Sequence, residues 1–102
     1  MLHLTLGRAT GRRLKVLCIG AHCDDIEIGC GATLLTLQRA YSRCWIHWLL
    51  LTPDPIRRKK VFRSVRAFVR SSALGTVRIC DLPDRLLPAQ LAEVKAEFRS
   101  VY

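Results

Sequence analysis

Long apolar runs are missing from this sequence. No stretch approaches the ~20 consecutive apolar residues that a transmembrane helix needs, which argues against a membrane-spanning protein. Arg8 and Arg12 precede the first apolar run, as basic residues do in a signal peptide, but the run from Leu14 to Ala21 is short and contains Lys15. No credible cleavage site follows it. We therefore expect neither a membrane span nor a secretory leader.

The sequence also lacks paired cysteine motifs. Its five cysteines are odd in number and show no Cys-x-x-Cys spacing. Because they stand in mostly apolar surroundings, they are predicted to be buried free thiols in a reducing compartment, which indicates a cytoplasmic protein. The five are Cys18, Cys23, Cys30, Cys44 and Cys80.

Acidic residues are scarce. Eight Asp and Glu residues are set against 17 Lys and Arg residues, which leaves a net charge of +9. This excess could attract an anionic partner such as phosphate, nucleic acid or an acidic membrane face. The charge is scattered, however, and no aromatic residues alternate with it as they do in single-strand binders, so no nucleic-acid partner is expected. The densest run, Arg57 to Lys60, is predicted to be a solvated helix start, although cations there oppose the helix dipole.

Repeats and low-complexity segments are absent as well. A chain of 102 residues, half of them apolar, forms at most one small domain. Strands are predicted at about 14–20, 44–52 and 76–82, the last as an edge strand, and helices at about 31–41, 57–75 and from 87 onward. These three βα units predict an α/β fold, a doubly wound Rossmann-like parallel sheet with helices on both faces, apparently truncated. Residues 1–13 are a lead-in.

One stretch, Ala21 to Thr33, carries most of the chemistry. It follows the first predicted strand at its carboxyl end, where ligands bind in open α/β sheets. His22 and Asp25 are spaced so that a tight loop can bring an imidazole nitrogen and a carboxylate oxygen onto one ion, a donor set that suits zinc. Asp24 is left over, and zinc hydrolases need a non-ligating base to take the proton of the attacking water.

Two simpler interpretations of this stretch stay open. An aspartate before a helix can act only as an N-cap, although capping explains neither His22 nor the second aspartate. The element Gly29-Cys30-Gly31 could cradle a phosphate, but the dinucleotide pattern would need glycine where Leu34 stands. We expect instead that the glycines let the first helix pack closely under the site.

The stretch Ala-His-x-Asp-Asp-x-Glu-x-Gly-Cys-Gly-x-Thr closely resembles the signature of the zinc-dependent de-N-acetylases of the LmbE and PIG-L family. The resemblance implies hydrolysis of the N-acetyl group of an N-acetylglucosaminyl conjugate, either a small molecule or a lipid-linked one. It implies His22 and Asp25 as zinc ligands and Asp24 as the general base. Cys23 replaces the proline that the family usually has, and it is predicted not to be a ligand.

The similarity covers about residues 14–102, which resemble the first half of a family domain. The third zinc ligand in the family is a histidine of a later motif, and no histidine follows His47, which lies inside the second strand and is predicted to be packed there. The zinc site is therefore expected to be incomplete in this chain. In a sheet of order 3-2-1 the first strand has an open edge, which predicts self-association. The alternatives are an inactive fragment or a small basic module that binds an anionic partner.

Overall fold

The structure is a computed structural model that describes residues 13–52, 55–83 and 87–101. Its strands are β1 (Leu14–Gly20), β2 (Cys44–Leu50) and β3 (Leu74–Ile79), and its α-helices are α1 (Asp25–Ala40), α2 (Pro55–Phe68) and α3 (Leu91–Ser100). Short 3₁₀ turns precede β3 at Ser71–Ala73 and α3 at Leu87–Ala89. The part of the chain that the structure describes contains no candidate membrane-spanning helix. The predicted lead-in, residues 1–13, lies outside the described residues except for Arg13.

The three strands form one parallel sheet in the order β1-β2-β3. One face packs against α1 and α2 around large buried side chains, namely Ile26, Leu34, Ile46, Trp48, Leu50 and Val65. On the other face Leu17 and Leu49 pack with Val94 of α3 and with Val101, which follows this helix. Side chains alternate between the two faces of a strand, so β2 serves both cores. The predicted fold class, a Rossmann-like sheet with helices on both faces, is confirmed.

Helix α1 begins earlier than the sequence predicts. It starts at Asp25 rather than near Gly31 and continues across a kink at Cys30, where φ is −144° and ψ is 15°. The first turn carries Asp25 and Glu27, whose negative charge stabilises a helix N-terminus. Nine of the 13 signature residues therefore lie in α1, and only residues 21–24 form the loop.

The boundary between α2 and β3 also differs from the prediction. The helix ends at Phe68, well before Gly75, and Gly75 lies within β3. The reason is a tertiary contact: the buried Gln38 donates through Nε2 to the Phe68 carbonyl at 2.6 Å and accepts from the Arg70 amide at 2.9 Å. Because these contacts replace the next helical hydrogen bonds, the chain leaves the helix there.

Strand β1 is less buried than its apolar sequence predicts. It pairs with β2 alone among the described residues, and Ile19 is 45% exposed. Cys18 is buried toward α1 and α2, whereas Lys15 is exposed on the opposite face. In the described part of the chain β1 and β3 are therefore the two edges of the sheet, and the prediction of β3 as an edge strand is confirmed.

Candidate functional site

The candidate site lies on the loop that leaves the carboxyl end of β1. The loop is tied to the end of β2, because the Leu51 amide donates to the Gly20 carbonyl at 3.0 Å and the Thr52 amide donates to the Ala21 carbonyl at 2.9 Å. The buried Thr52 hydroxyl also donates to the Ala21 carbonyl. Because two donors bind the Ala21 carbonyl, the start of the loop is fixed against the sheet. The side chains of residues 22–24 therefore extend from a fixed backbone.

His22 and Asp25, the two predicted ligands, are brought together. His22 Nδ1 lies 3.4 Å from Asp25 Oδ2, and the His22 backbone amide donates to the same oxygen at 2.9 Å. Their side chains are 53% and 48% exposed. An imidazole nitrogen and a carboxylate oxygen at this separation, both open to solvent, have the chemistry to share one cation.

Asp24 stands at the N-cap position of α1 but does not use its side chain as a cap. Its backbone has φ −101° and ψ −2°, and its side chain makes no cap hydrogen bond. The carboxylate Oδ2 instead accepts from Arg57 Nη1 at 2.9 Å, so the first turn of α2 holds it beside the loop. Sequence reasoning did not foresee this partner, although cations at a helix N-terminus, where they oppose the dipole, were a signal that something else attracts them.

A small cleft of about 210 Å³ adjoins Asp24 between α1 and α2. It is lined by Cys23, Asp24, Glu27, Arg57, Lys60, Val61 and Ser64. Glu27 Oε2 accepts from the Ser64 hydroxyl at 3.0 Å, while its Oε1 is buried and has no hydrogen-bond partner among the described residues. A buried acceptor without a partner is costly, which marks Glu27 as a residue of interest in this cleft. The signature contained Glu27, but sequence reasoning assigned it no role.

The cysteines around the site are structural in character. Cys23 is 6% exposed and belongs to the core as well as to the cleft wall. Burial, assisted by the neighbouring Cys30, raises the pKa of Cys18 to about 12, so its thiol stays protonated at neutral pH. All five cysteines are free, and all except Cys30 are buried. The prediction of free, mostly buried thiols is confirmed.

His47 has a structural partner. The pairing of β2 with β3 shifts by one residue between Ile46 and Trp48, which is a β-bulge. There the Thr76 amide donates to His47 Nδ1 at 3.0 Å. The imidazole thus satisfies a backbone donor at the bulge, in agreement with the prediction that His47 is packed.

No group of three or more His, Cys, Asp or Glu side chains in the described ranges is arranged to hold a metal ion. His22 and Asp25 are therefore a two-residue donor pair without a third protein ligand among the residues that the structure describes. Together, the fold and this loop define an α/β domain with a polar site at the carboxyl end of its first strand. No protein-family model, curated protein or solved structure matches the chain.

Proposed function

We propose that the chain carries the active-site loop of a zinc-dependent amide hydrolase of the LmbE and PIG-L type, which removes the N-acetyl group from an N-acetylglucosaminyl conjugate. The observation that carries the proposal is the 3.4 Å contact between His22 Nδ1 and Asp25 Oδ2, where the loop meets α1, together with Asp24 between them, which lines a cleft. A cap or a phosphate cradle would require neither the imidazole nor both aspartates.

The donor set fits zinc, because imidazole nitrogen and carboxylate oxygen are both common zinc ligands. His22 and Asp25 would hold the ion, and when bound the zinc would supply a Lewis acid that polarises the acetamide carbonyl. Hydrolytic zinc sites use three protein ligands. With two ligands among its described residues, this chain should bind zinc weakly.

Asp24 is the proposed general base. Its side chain is 53% exposed and faces the cleft, so water can reach it. As a water molecule attacks the acetyl carbon, Asp24 takes the proton and passes it to the nitrogen when the amide C–N bond breaks, which yields acetate and a free amine. Arg57 keeps the carboxylate in place through their hydrogen bond, and hence acts as a positioning residue.

Zinc binding is the first test. We expect a chelator-competition titration to give weak binding that falls at least ~10-fold in His22→Ala and in Asp25→Ala, because each substitution removes one of two ligands. Glu93→Ala, on exposed α3 surface, is the matched control. Tightly held zinc that His22→Ala leaves unchanged would overturn the ligand assignment.

Turnover is the second test. Amine release from an N-acetylglucosaminyl conjugate is measured with excess zinc and with added imidazole, which can occupy an open ligand position. Asp24→Asn should keep zinc affinity but lower the rate by about 10²- to 10⁴-fold, the usual contribution of a general base. An undiminished rate in Asp24→Asn would exclude the base role, and no amine release under any condition would count against the activity itself.

A further inference from the structure

Helix α2 concentrates positive charge next to the candidate cleft. Six of its 14 residues are Lys or Arg, and none is acidic. The run Arg57 to Lys60 occupies the first turns, where cations oppose the helix dipole and therefore destabilise the helix. An anionic partner outside α2 would offset this destabilisation.

The carboxylates that the structure describes neutralise little of this charge. Arg57 pairs with Asp24 at 2.9 Å and Arg58 lies 3.9 Å from Asp81, and all four side chains are at least half exposed, so these pairs are weak. Four further cations of α2 have no carboxylate within ion-pair distance in the part of the chain that the structure describes: Lys59, Lys60, Arg63 and Arg66.

Two isoleucines are exposed in the first turns of α1 and α2. Ile28 is 84% exposed and Ile56 is 79% exposed, the highest values for large apolar side chains among the described residues. Each adjoins in sequence a residue that lines the cleft, Glu27 and Arg57 respectively. Isolated exposed apolar residues are common on protein surfaces, but here two of them lie at the same end of α1 and α2 as the basic run.

We propose that this surface, which we call the α2 rim and define as Ile28, Ile56 to Lys60 and Arg63, docks the protein on the surface of an anionic lipid bilayer. Clusters of four to eight basic residues on a helix bind acidic headgroups, and each contributes roughly fivefold to affinity. Aliphatic side chains gain by entering the headgroup region, whereas they can neither stack on bases nor bond to phosphate. The isoleucines therefore favour a bilayer over nucleic acid. The proposal does not depend on catalytic activity.

The test is co-sedimentation of the full chain with vesicles of phosphatidylcholine alone or with about 30% phosphatidylserine. We expect binding only to the acidic vesicles, and a steep loss of binding between about 50 and about 500 mM NaCl, because salt screens the attraction. The double variant Lys59→Glu/Arg63→Glu should bind at least ~25-fold more weakly, since it loses two cations that are each worth roughly fivefold.

The chain offers a matched control. Lys95→Glu/Arg99→Glu makes the same change in charge at the same spacing on exposed α3 positions, on the opposite face of the sheet, and should bind as the wild type does after the net-charge change is allowed for. Circular dichroism and thermal unfolding establish that each variant is folded. If both double variants lose the same affinity for acidic vesicles, net charge alone explains binding. The α2 rim would then not be the docking surface.

A further pair of variants separates a bilayer from nucleic acid. Ile28→Ser and Ile56→Ser should each weaken binding to acidic vesicles about three- to tenfold, as expected when one aliphatic side chain no longer enters the interface. Neither substitution should change binding to duplex DNA. If DNA is bound more tightly than the acidic vesicles and the serine variants bind those vesicles normally, the surface recognises nucleic acid and the bilayer proposal is wrong.

Discussion

At the scale of single residues, several polar side chains form hydrogen bonds with residues that are distant in sequence rather than with the adjacent backbone. Asp24 stands at an N-cap but contacts Arg57, and His47 lies within β2 but accepts from the Thr76 amide of β3. In α3, Glu97 Oε2 accepts from Arg78 Nε at 2.6 Å and from Cys80 Sγ at 3.2 Å. These contacts connect elements that are distant in sequence. Where such a contact involves an ionisable group, the stability of the tertiary structure depends on pH.

Glu97 allows a prediction about pH. The hydrogen bond from Arg78, followed by that from Cys80, lowers the pKa of Glu97 below its ordinary value of 4.5. The contact therefore stabilises the fold fully at pH values above about 4.5, and this contribution is lost as the pH falls through the lowered pKa. Glu97→Gln should be slightly less stable than the wild type at pH 7, and the difference should shrink in acid.

Urea unfolding between pH 3 and pH 7 measures this difference. The Arg78 and Glu97 side chains are 46% and 24% exposed, so solvent partly screens the pair, and the effect should be small at low salt and smaller at high salt. Glu93→Gln, on the same helix but without an ion pair in the described residues, is the control. A wild type and a Glu97→Gln variant with identical pH profiles would contradict the prediction.

At the scale of elements, the packing of α1 on α2 positions the cleft. Gln38 bridges the two helices, and the Arg70 guanidinium donates to the Gln38 carbonyl and the Ser42 carbonyl, each at 3.0 Å, at the end of α1. Gly31 lies against the Phe68 ring, where a Cβ would stand only 2.6 Å from Cε1. The expectation that the glycines permit close packing under the site holds for Gly31 but not for Gly29, whose surroundings are open.

The two glycines give opposite predictions for the same substitution. Helix propensity alone favours alanine over glycine by about 1 kcal/mol. Gly29→Ala should therefore raise the free energy of unfolding by about 0.5–1 kcal/mol, because nothing lies within 4 Å of its new methyl group. Gly31→Ala should lower it by about 1–3 kcal/mol, because the methyl group displaces the Phe68 ring.

Denaturant unfolding of the two variants beside the wild type is the measurement. Equal changes in the free energy of unfolding at both positions would contradict the prediction. They would mean that helix propensity alone sets the effect and that the Phe68 ring moves without cost. A Gly31→Ala/Phe68→Leu double variant that recovers part of the loss would identify the ring as the cause.

At the scale of the whole molecule, the feature with the widest consequence is the edge of β1, which has no strand partner other than β2 among the described residues. The Leu14 amide donates to the Arg43 carbonyl and the Leu51 amide donates to the Gly20 carbonyl, so β1 bonds to β2 through its even-numbered residues. The amides and carbonyls of Lys15, Leu17 and Ile19 consequently face outward. Because they are spaced evenly about Leu17, an antiparallel copy of β1 centred there would satisfy all of them.

We expect the chain to self-associate through this edge. Association should rise with ionic strength, because salt screens the repulsion between copies that each carry a net charge of +9. Ile19→Lys places a charge on an exposed edge position and should restore the monomer. Vesicle binding by the α2 rim should change with salt in the opposite sense, so the two surfaces can be told apart.

Sedimentation across a salt series, with the wild type and Ile19→Lys side by side, decides the matter. A wild type that stays monomeric at every salt concentration would contradict self-association through the edge of β1. Association that Ile19→Lys leaves intact would place the contact elsewhere on the surface.

The sequence by itself determined the class of fold and the position of the loop that carries the candidate site. Buried strands such as β2 must alternate their side chains between two helical layers, and a polar loop after a first strand must lie at its carboxyl end, whatever the remaining contacts are. It also predicted that His22 and Asp25 would meet, because three residues of loop are short enough to bring them together.

Only the tertiary structure decided where the helices begin and end and which side chains surround the loop. Helix α2 stops at Phe68 because Gln38, far away in sequence, takes the Phe68 carbonyl and the Arg70 amide. Asp24 faces Arg57 rather than its own helix for the same kind of reason. These choices depend on hydrogen bonds between residues about 30 positions apart, and local periodicity contains no information on which distant donor reaches which acceptor.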